Sequence, residues 1–209
     1  MKPMTTDNSA PVQARNKPWD ARLAAWLITP LVNSPVHPNI LTTVRLVVGL
    51  AGAVFFALGE NFNLAALLIV ASNFLDHTDG ELARYSGKMS KFGHQYDLAS
   101  DAVVTIGMFV GIGWGLSASV GPLSILMGVA AGVAVAGIFH LRNQLENAQG
   151  KTATKQPSMF GFEAEDILYL IPLVTLSNSL PLFLKAAAVG APIALLIVFI
   201  DYRRRLYRT

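Results

Sequence analysis

Four aspartates lie where a bilayer should exclude them. Asp76, Asp79, Asp97 and Asp101 sit within or beside apolar stretches, flanked by Ser72-Asn73-Phe74-Leu75 and Ala102-Val103-Val104. An acid at the centre of a spanning helix costs about 2.5–3.5 kcal/mol on insertion scales, so such residues face a bundle interior and mark a functional site. Asp76 and Asp79 are spaced i, i+3 and Asp97 and Asp101 i, i+4, which puts each pair on one helix face. The tight turn at Ser86-Gly87-Lys88 predicts two antiparallel helices that are direct neighbours, with the pairs facing each other. Four converging carboxylates repel unless cations intervene. Hard oxygen ligands of this kind suit Mg²⁺ or Mn²⁺, and Mg²⁺ typically bridges carboxylates and substrate phosphates.

Small residues share those faces. Gly80 and Ala83 follow Asp76 by one and two turns, and Gly93 precedes Asp97 by one. Small side chains admit either a neighbouring helix or a bulky ligand close to the backbone; beside four aspartates the ligand reading is preferred. Arg84 adds a forked donor suited to phosphate, the alternative being an ordinary cytoplasmic arginine.

The elements that carry these residues read as membrane helices. The chain of 209 residues is 53% hydrophobic and 14% charged, with a mean hydropathy of +0.47; a soluble domain is about a quarter charged. Six stretches are long enough to cross a bilayer, at roughly 39–58, 62–85, 93–118, 121–146, 163–179 and 182–202. The breaks between them carry turn chemistry: Gly59-Glu60-Asn61, Ser86-Gly87-Lys88, Gly121-Pro122 and Asn178 to Pro181. Residues 1–17 read as a flexible polar tail without a signal peptide. Residues 18–33 read as an interfacial amphipathic helix with Leu23, Trp26, Leu27 and Leu31 on its apolar face; an ordinary cap on the bundle is the alternative. The expected fold is therefore all-α and integral to the membrane, with six transmembrane helices in one domain over 18–209.

Orientation follows from Lys and Arg. The connections at 59–62 and 118–122 carry none and that near 180–185 only Lys185, so the positive-inside rule places both termini and the 86–92 and 147–162 loops in the cytoplasm. The same distribution explains the basic pI without nucleic acid as a partner. With no cysteine, disulfides and thiolate metal sites are excluded.

Taken together, Asp76-His-Thr-Asp79-Gly80-Glu-Leu-Ala83-Arg84, eight residues, Gly93, three residues, Asp97, three residues, Asp101 is similar at all eight fixed positions to the signature of the CDP-alcohol phosphotransferase family, DxxDGxxARx(8)GxxxDxxxD. Upstream, His37-Pro38-Asn39-Ile40-Leu41-Thr42-Thr43-Val44-Arg45 resembles more loosely the family's opening of the first span. The resemblance implies two divalent metal ions (Mg²⁺ or Mn²⁺), bridged by Asp76 and Asp97, with Asp79 serving one ion and Asp101 the other. It makes Asp101 the candidate general base. It assigns Gly80, Ala83, Arg84, Gly93 and Ser90 to the CDP part of the donor, with Asn39 and Thr42 near the nucleotide. It also implies a homodimer whose site opens to the cytoplasm, and transfer of a substituted phosphate from a CDP-linked lipid, CDP-diacylglycerol, to an alcohol with release of CMP.

The alcohol is left open. His140, Arg142 and Asn143, with Lys151 and Lys155 beyond, suit a phosphorylated acceptor or simply a solvated basic loop. Glu163, Glu165 and Asp166 suit an amine-bearing acceptor or simply the positive end of a helix. His77 and His94 read as interfacial hydrogen-bonding residues, Trp26, Trp114, Tyr202 and Tyr207 as interfacial anchors, and the Gly/Ala run at 128–137 as helix packing. Two other classes use intramembrane acids, a UbiA-like prenyltransferase and an ion-coupled transporter. Neither accounts for Gly80, Ala83, Arg84 and Gly93 in one register.

Overall fold

Backbone turns fall where the sequence places its breaks. In the computed structural model, which describes Leu23, 26–149 and 168–206, Gly59, Gly87 and Gly121 adopt positive φ (73°, 67° and 100°) and Asn178 does so at 53°. Glycine enters this region without steric cost and asparagine with little, so each residue ends one helix and redirects the chain into the next.

The described residues are helical, with no strand among them. A short 3₁₀ turn, Thr29–Leu31, precedes α1 (Pro38–Leu58), α2 (Phe62–Tyr85), α3 (Lys91–Gly115), the single turn α4 (Ser117–Val120), α5 (Leu123–Gln149), the short α6 (Ile171–Leu176) and α7 (Leu180–Leu206). Local chemistry sets the starts. His37 accepts the amide of Asn39 ahead of Pro38, Asn61 accepts that of Leu64, and Ser90 accepts that of Gly93, each meeting an orphan donor of a first turn.

Among the described residues, four helices are long and apolar enough to cross a bilayer: Pro38–Leu58, Lys91–Gly115, Leu123–Asn147 and Leu180–Arg205. α2 has the length, at 24 residues, but Asp76, Asp79, Glu81 and Arg84 in its second half take it below the hydropathy of a span. Of the fifth predicted stretch, 168–179 are described, and their only α-helix is the six-residue α6; of the interfacial segment, Leu23 and 26–33 are described, and the tail 1–17 lies outside the described residues. Of that interfacial segment, Trp26 is well exposed while Ile28 is fully buried. The third predicted span is interrupted, since α3 stops at Gly115 and α4 forms a separate turn.

One arrangement differs from the sequence expectation. α2 and α3 are not packed directly together; α1 lies against both, and the two have almost no close backbone contact with each other. Glycines on α1 and α3 explain the wedge. A Cβ on Gly49 would sit 2.7 Å from Ser72 on α2 and from Val104 on α3, and one on Gly52 would sit 3.1 Å from the Ala65 carbonyl. Gly111 lies directly against the Ala53 carbonyl and Gly115 against that of Phe56. α5 then packs on α3 through Gly128 and Gly132, and α7 on α5 through Gly137. Phe56, Ala65, Ala66, Ile69, Met108, Phe109 and Ile112 fill the core between them. The inner end of the bundle is thus close-packed, while the end carrying the aspartates is held open.

Candidate active site

Arg45 occupies the space between the aspartate pairs. It projects from α1, is only 2% exposed, and reaches all four carboxylates: Nη2 lies 3.1 Å from Asp76 and 2.6 Å from Asp97, Nη1 2.7 Å from Asp101, and Nε 3.4 Å from Asp79. Nη2 also donates to the Asp97 carbonyl at 3.0 Å. The helix is pinned at this level, because Ser72 on α2 donates its hydroxyl to the Arg45 carbonyl at 2.8 Å. The sequence places Arg45 at the end of the run 37–45 that resembles the family's opening of the first span, with no role at the aspartates. The signal was present: an arginine inside a predicted span is as costly as an aspartate, and four converging acids require a cation.

The aspartates do converge, but not as a symmetrical foursome. Asp76, Asp97 and Asp101 each present an oxygen, all within 4.8 Å of one another. Asp79 stands apart from this trio, is more buried than the others, and accepts the Thr42 hydroxyl at 2.6 Å. The donor set fits a hard divalent cation. Four carboxylates face a single guanidinium, so positive charge is in deficit here.

Two cavities meet at the cluster, sharing His94 and Asp97. The first, about 250 Å³, is lined by Pro38, Asn39, Thr42, Asp79, Gly80, Ala83, Arg84, Lys88, Met89, Ser90, Gly93, His94 and Asp97. Every residue that the resemblance assigned to the CDP part lies on this wall. Among the described residues no helix covers Gly80: a Cβ there would meet the flexible Arg84 guanidinium, at 3.4 Å, so its lack of a side chain serves the cavity rather than packing. Gly93 is tighter, with Asn39 Oδ1 and Ser90 Oγ each 3.0 Å from a Cβ. Ser90 caps α3 by accepting the Gly93 amide at 2.9 Å. Arg84, half exposed, donates to Glu81 at 2.8 Å. Lys88 donates to the carbonyls of Ser34 and Val36 and fixes the α2–α3 turn to the segment before α1.

The second cavity, about 240 Å³, holds Asp76, Asp97 and Asp101 on one side and Asn73, Arg142, Asn143, Glu146 and Leu168 among its other walls. Arg142 and Asn143, flagged in the sequence as candidates, are therefore brought to the site, whereas His140 instead contacts Gln144. Asn73 and Glu146 were missed. Lys151, Lys155, Glu163, Glu165 and Asp166 lie outside the described residues.

Helices of spanning length carry a partly buried acidic cluster between two cavities, an arrangement suited to a charged ligand. The family is definite: the CDP-alcohol phosphatidyltransferase model matches residues 35–200, and the chain belongs to that family. Family and apolar helices together make it an integral membrane protein. Among similar proteins is the CDP-diacylglycerol--serine O-phosphatidyltransferase of Helicobacter pylori strain J99, 37% identical over 68 residues, which is 32% of this chain and 28% of that protein. The archaetidylinositol phosphate synthase of Pyrococcus horikoshii is 36% identical over 85 residues, 39% of this chain and 45% of that protein. The matches thus span less than half the length of these curated relatives. A crystal structure of Mycobacterium tuberculosis phosphatidylinositol phosphate synthase with CDP-DAG bound shares the fold, with a TM-score of 0.61 at 20% identity over 89% of this chain and 92% of that one.

Proposed function

We propose that this chain transfers a phosphatidyl group from CDP-diacylglycerol to an alcohol, releasing CMP. The observation that carries the reading is that Asp79, Gly80, Ala83, Arg84, Gly93 and Asp97 of the signature line one cavity, that Asp76 and Asp101 line a second, and that the two cavities meet at Asp97. The first cavity takes the CDP moiety, with Gly80 and Gly93 leaving room at the backbone and Arg84 and Lys88 supplying positive charge at its edge.

In this reaction the acceptor oxygen bonds to the phosphorus that carries the lipid, and the bond from that phosphorus to the CMP oxygen breaks. The acceptor's proton passes to a base, and Asp101 is placed for that role at the mouth of the second cavity. Arg45 holds the Asp101 carboxylate from behind at 2.7 Å and so fixes its direction. Asp76, Asp79, Asp97 and Asp101 would hold two Mg²⁺ or Mn²⁺ ions, which when bound supply charge neutralisation at the diphosphate and the departing phosphate. Thr42, by donating to Asp79, orients the carboxylate nearest the donor cavity.

The same reading carries six crossings, with α2 as the second and an interfacial helix ahead of α1, both termini and the site toward the cytoplasm, and a homodimeric assembly. The lack of cysteine permits a clean test of topology: Lys91→Cys should be shielded from an impermeant maleimide outside intact cells, and Glu60→Cys labelled. For the reaction, the purified protein in detergent with CDP-diacylglycerol and Mg²⁺ should release CMP when given its alcohol, and EDTA should stop release reversibly. Ion flux without CMP release would instead favour a transporter, and turnover in metal-free buffer would contradict the metal assignment.

A further inference from the structure

Arg45 gives the acidic cluster a fixed positive charge that has no room to withdraw. It is 2% exposed and reaches all four carboxylates, and its Nη2 also donates to the Asp97 carbonyl. Its helix is locked at this level by the Ser72 bond to the Arg45 carbonyl and, one turn on, by Gly49 against Ser72 and Val104. The guanidinium nevertheless leaves ligand atoms over. Its closest contacts are to Oδ1 of Asp76, Asp97 and Asp101, while Oδ2 of Asp79 accepts the Thr42 hydroxyl. The other oxygen of each carboxylate makes no hydrogen bond among the described residues, and none of those oxygens is sealed from solvent. Arginine and cations can therefore share the same carboxylates, through opposite oxygens.

Charge then sets an order, on the reading that the cluster holds two divalent ions. Four carboxylates and one guanidinium leave the site three charges negative. Nearby groups add no negative charge to this: Arg142 offsets Glu146 in the second cavity, Arg84 is paired with Glu81, and Lys88 is a further cation. One divalent ion leaves the site negative by a single charge. A second would make it positive beside a buried guanidinium, and like charges a few ångströms apart repel strongly away from bulk water. The diphosphate of a CDP-linked lipid brings two negative charges, and the donor cavity meets the cluster at Asp97. We infer that Arg45 makes binding of the second divalent ion depend on the CDP-linked donor, so that the resting protein holds one ion and the donor completes the pair.

The test counts Mn²⁺ on the metal-stripped full chain in detergent, by the spin-resonance signal of free Mn²⁺ and by calorimetry. Wild type, Arg45→Gln and Arg45→Lys are each titrated with and without CDP-diacylglycerol, after subtracting the uptake of protein-free micelles. Wild type should bind one Mn²⁺ alone and two with the donor. Arg45→Gln should bind both without donor, the second about tenfold or more tightly than in wild type, and Arg45→Lys should restore the dependence. Where stripped Arg45→Gln does not stay folded, its recovery of folded signal against Mn²⁺ concentration reads the same affinity. A merely structural arginine would weaken metal binding when removed, not strengthen it. Two ions held tightly by wild type without donor, or an Arg45→Gln variant that still requires the donor, overturns this inference and leaves the two-metal transferase standing. No Mn²⁺ bound under any condition overturns the metal assignment as well.

Discussion

The two cavities share Asp97 and His94 as a common wall and differ in where the remaining walls come from. The first is built from 38–42 and 79–97, the end of one helix, the turn after it, the start of the next and the opening of α1. The second draws on Asn73, on 139–146 of α5 and on Leu168. A wall made from two helices joined by a tight turn is fixed by short-range geometry, because i, i+3 and i, i+4 spacing sets the faces. A wall supplied by a helix some forty residues later exists only once α3 and α5 have packed through Gly128 and Gly132. The donor side is therefore specified locally and the acceptor side by tertiary structure.

The largest test of this division strikes the shared wall. Asp97→Asn should abolish CMP release with every acceptor while leaving the protein folded, since the side chain is a third exposed and lies in no apolar core. Measurable turnover in a well-folded variant would mean that the cavities do not act through one cluster.

Arg45 comes next, because it ties the pairs together. Arg45→Gln leaves four carboxylates without their buried counter-charge, and removing one partner of a buried pair typically costs about 3–5 kcal/mol. Thermal unfolding of the metal-stripped variant in detergent should fall well below that of wild type, and added Mg²⁺ should recover more of the loss than it adds to wild type. Equal stability without metal would make Arg45 incidental to the cluster.

These positions also mark what was legible in the sequence. The breaks at Gly59, Gly87, Gly121 and Asn178 could be read because positive φ selects those residues. The convergence of Asp76, Asp97 and Asp101 was readable from helical spacing, but the way it is achieved was not. Adjacent helices joined by a short turn were expected to touch; α1, with Gly49 and Gly52 on its face, inserts between them and brings Arg45 with it. Only packing reveals a wedge of that kind. Asn73 escaped notice because one amide in an apolar helix has no spacing partner, and Glu146 because its register with Asp101 is created by the α3–α5 contact.

Gly80→Leu sharpens the comparison on the donor side alone. The added side chain enters open cavity rather than a packed interface, so unfolding should be unchanged. The CDP-diacylglycerol KM should rise by an order of magnitude or more, and the acceptor KM should hold. A matching rise in both constants would show that the cavities communicate through more than the shared wall.

The smallest effect is expected at Arg84, one of two arginines that look alike in sequence. Arg84 and Arg142 both lie on cavity walls toward the C-terminal ends of their helices. Arg84 is half exposed and already paired with Glu81 three residues earlier, whereas Arg142 has no partner among the described residues. Glu81 is buried, and a hydrogen bond to a charged group is worth about 1.5–3 kcal/mol, so a ligand phosphate competing for Arg84 must first displace a firm partner. Arg84→Gln should therefore raise the donor KM only modestly and leave the acceptor KM untouched. A loss as large as that from Gly80→Leu would mean that Arg84 leaves Glu81 for the substrate, and that the pairing seen here belongs to the resting enzyme.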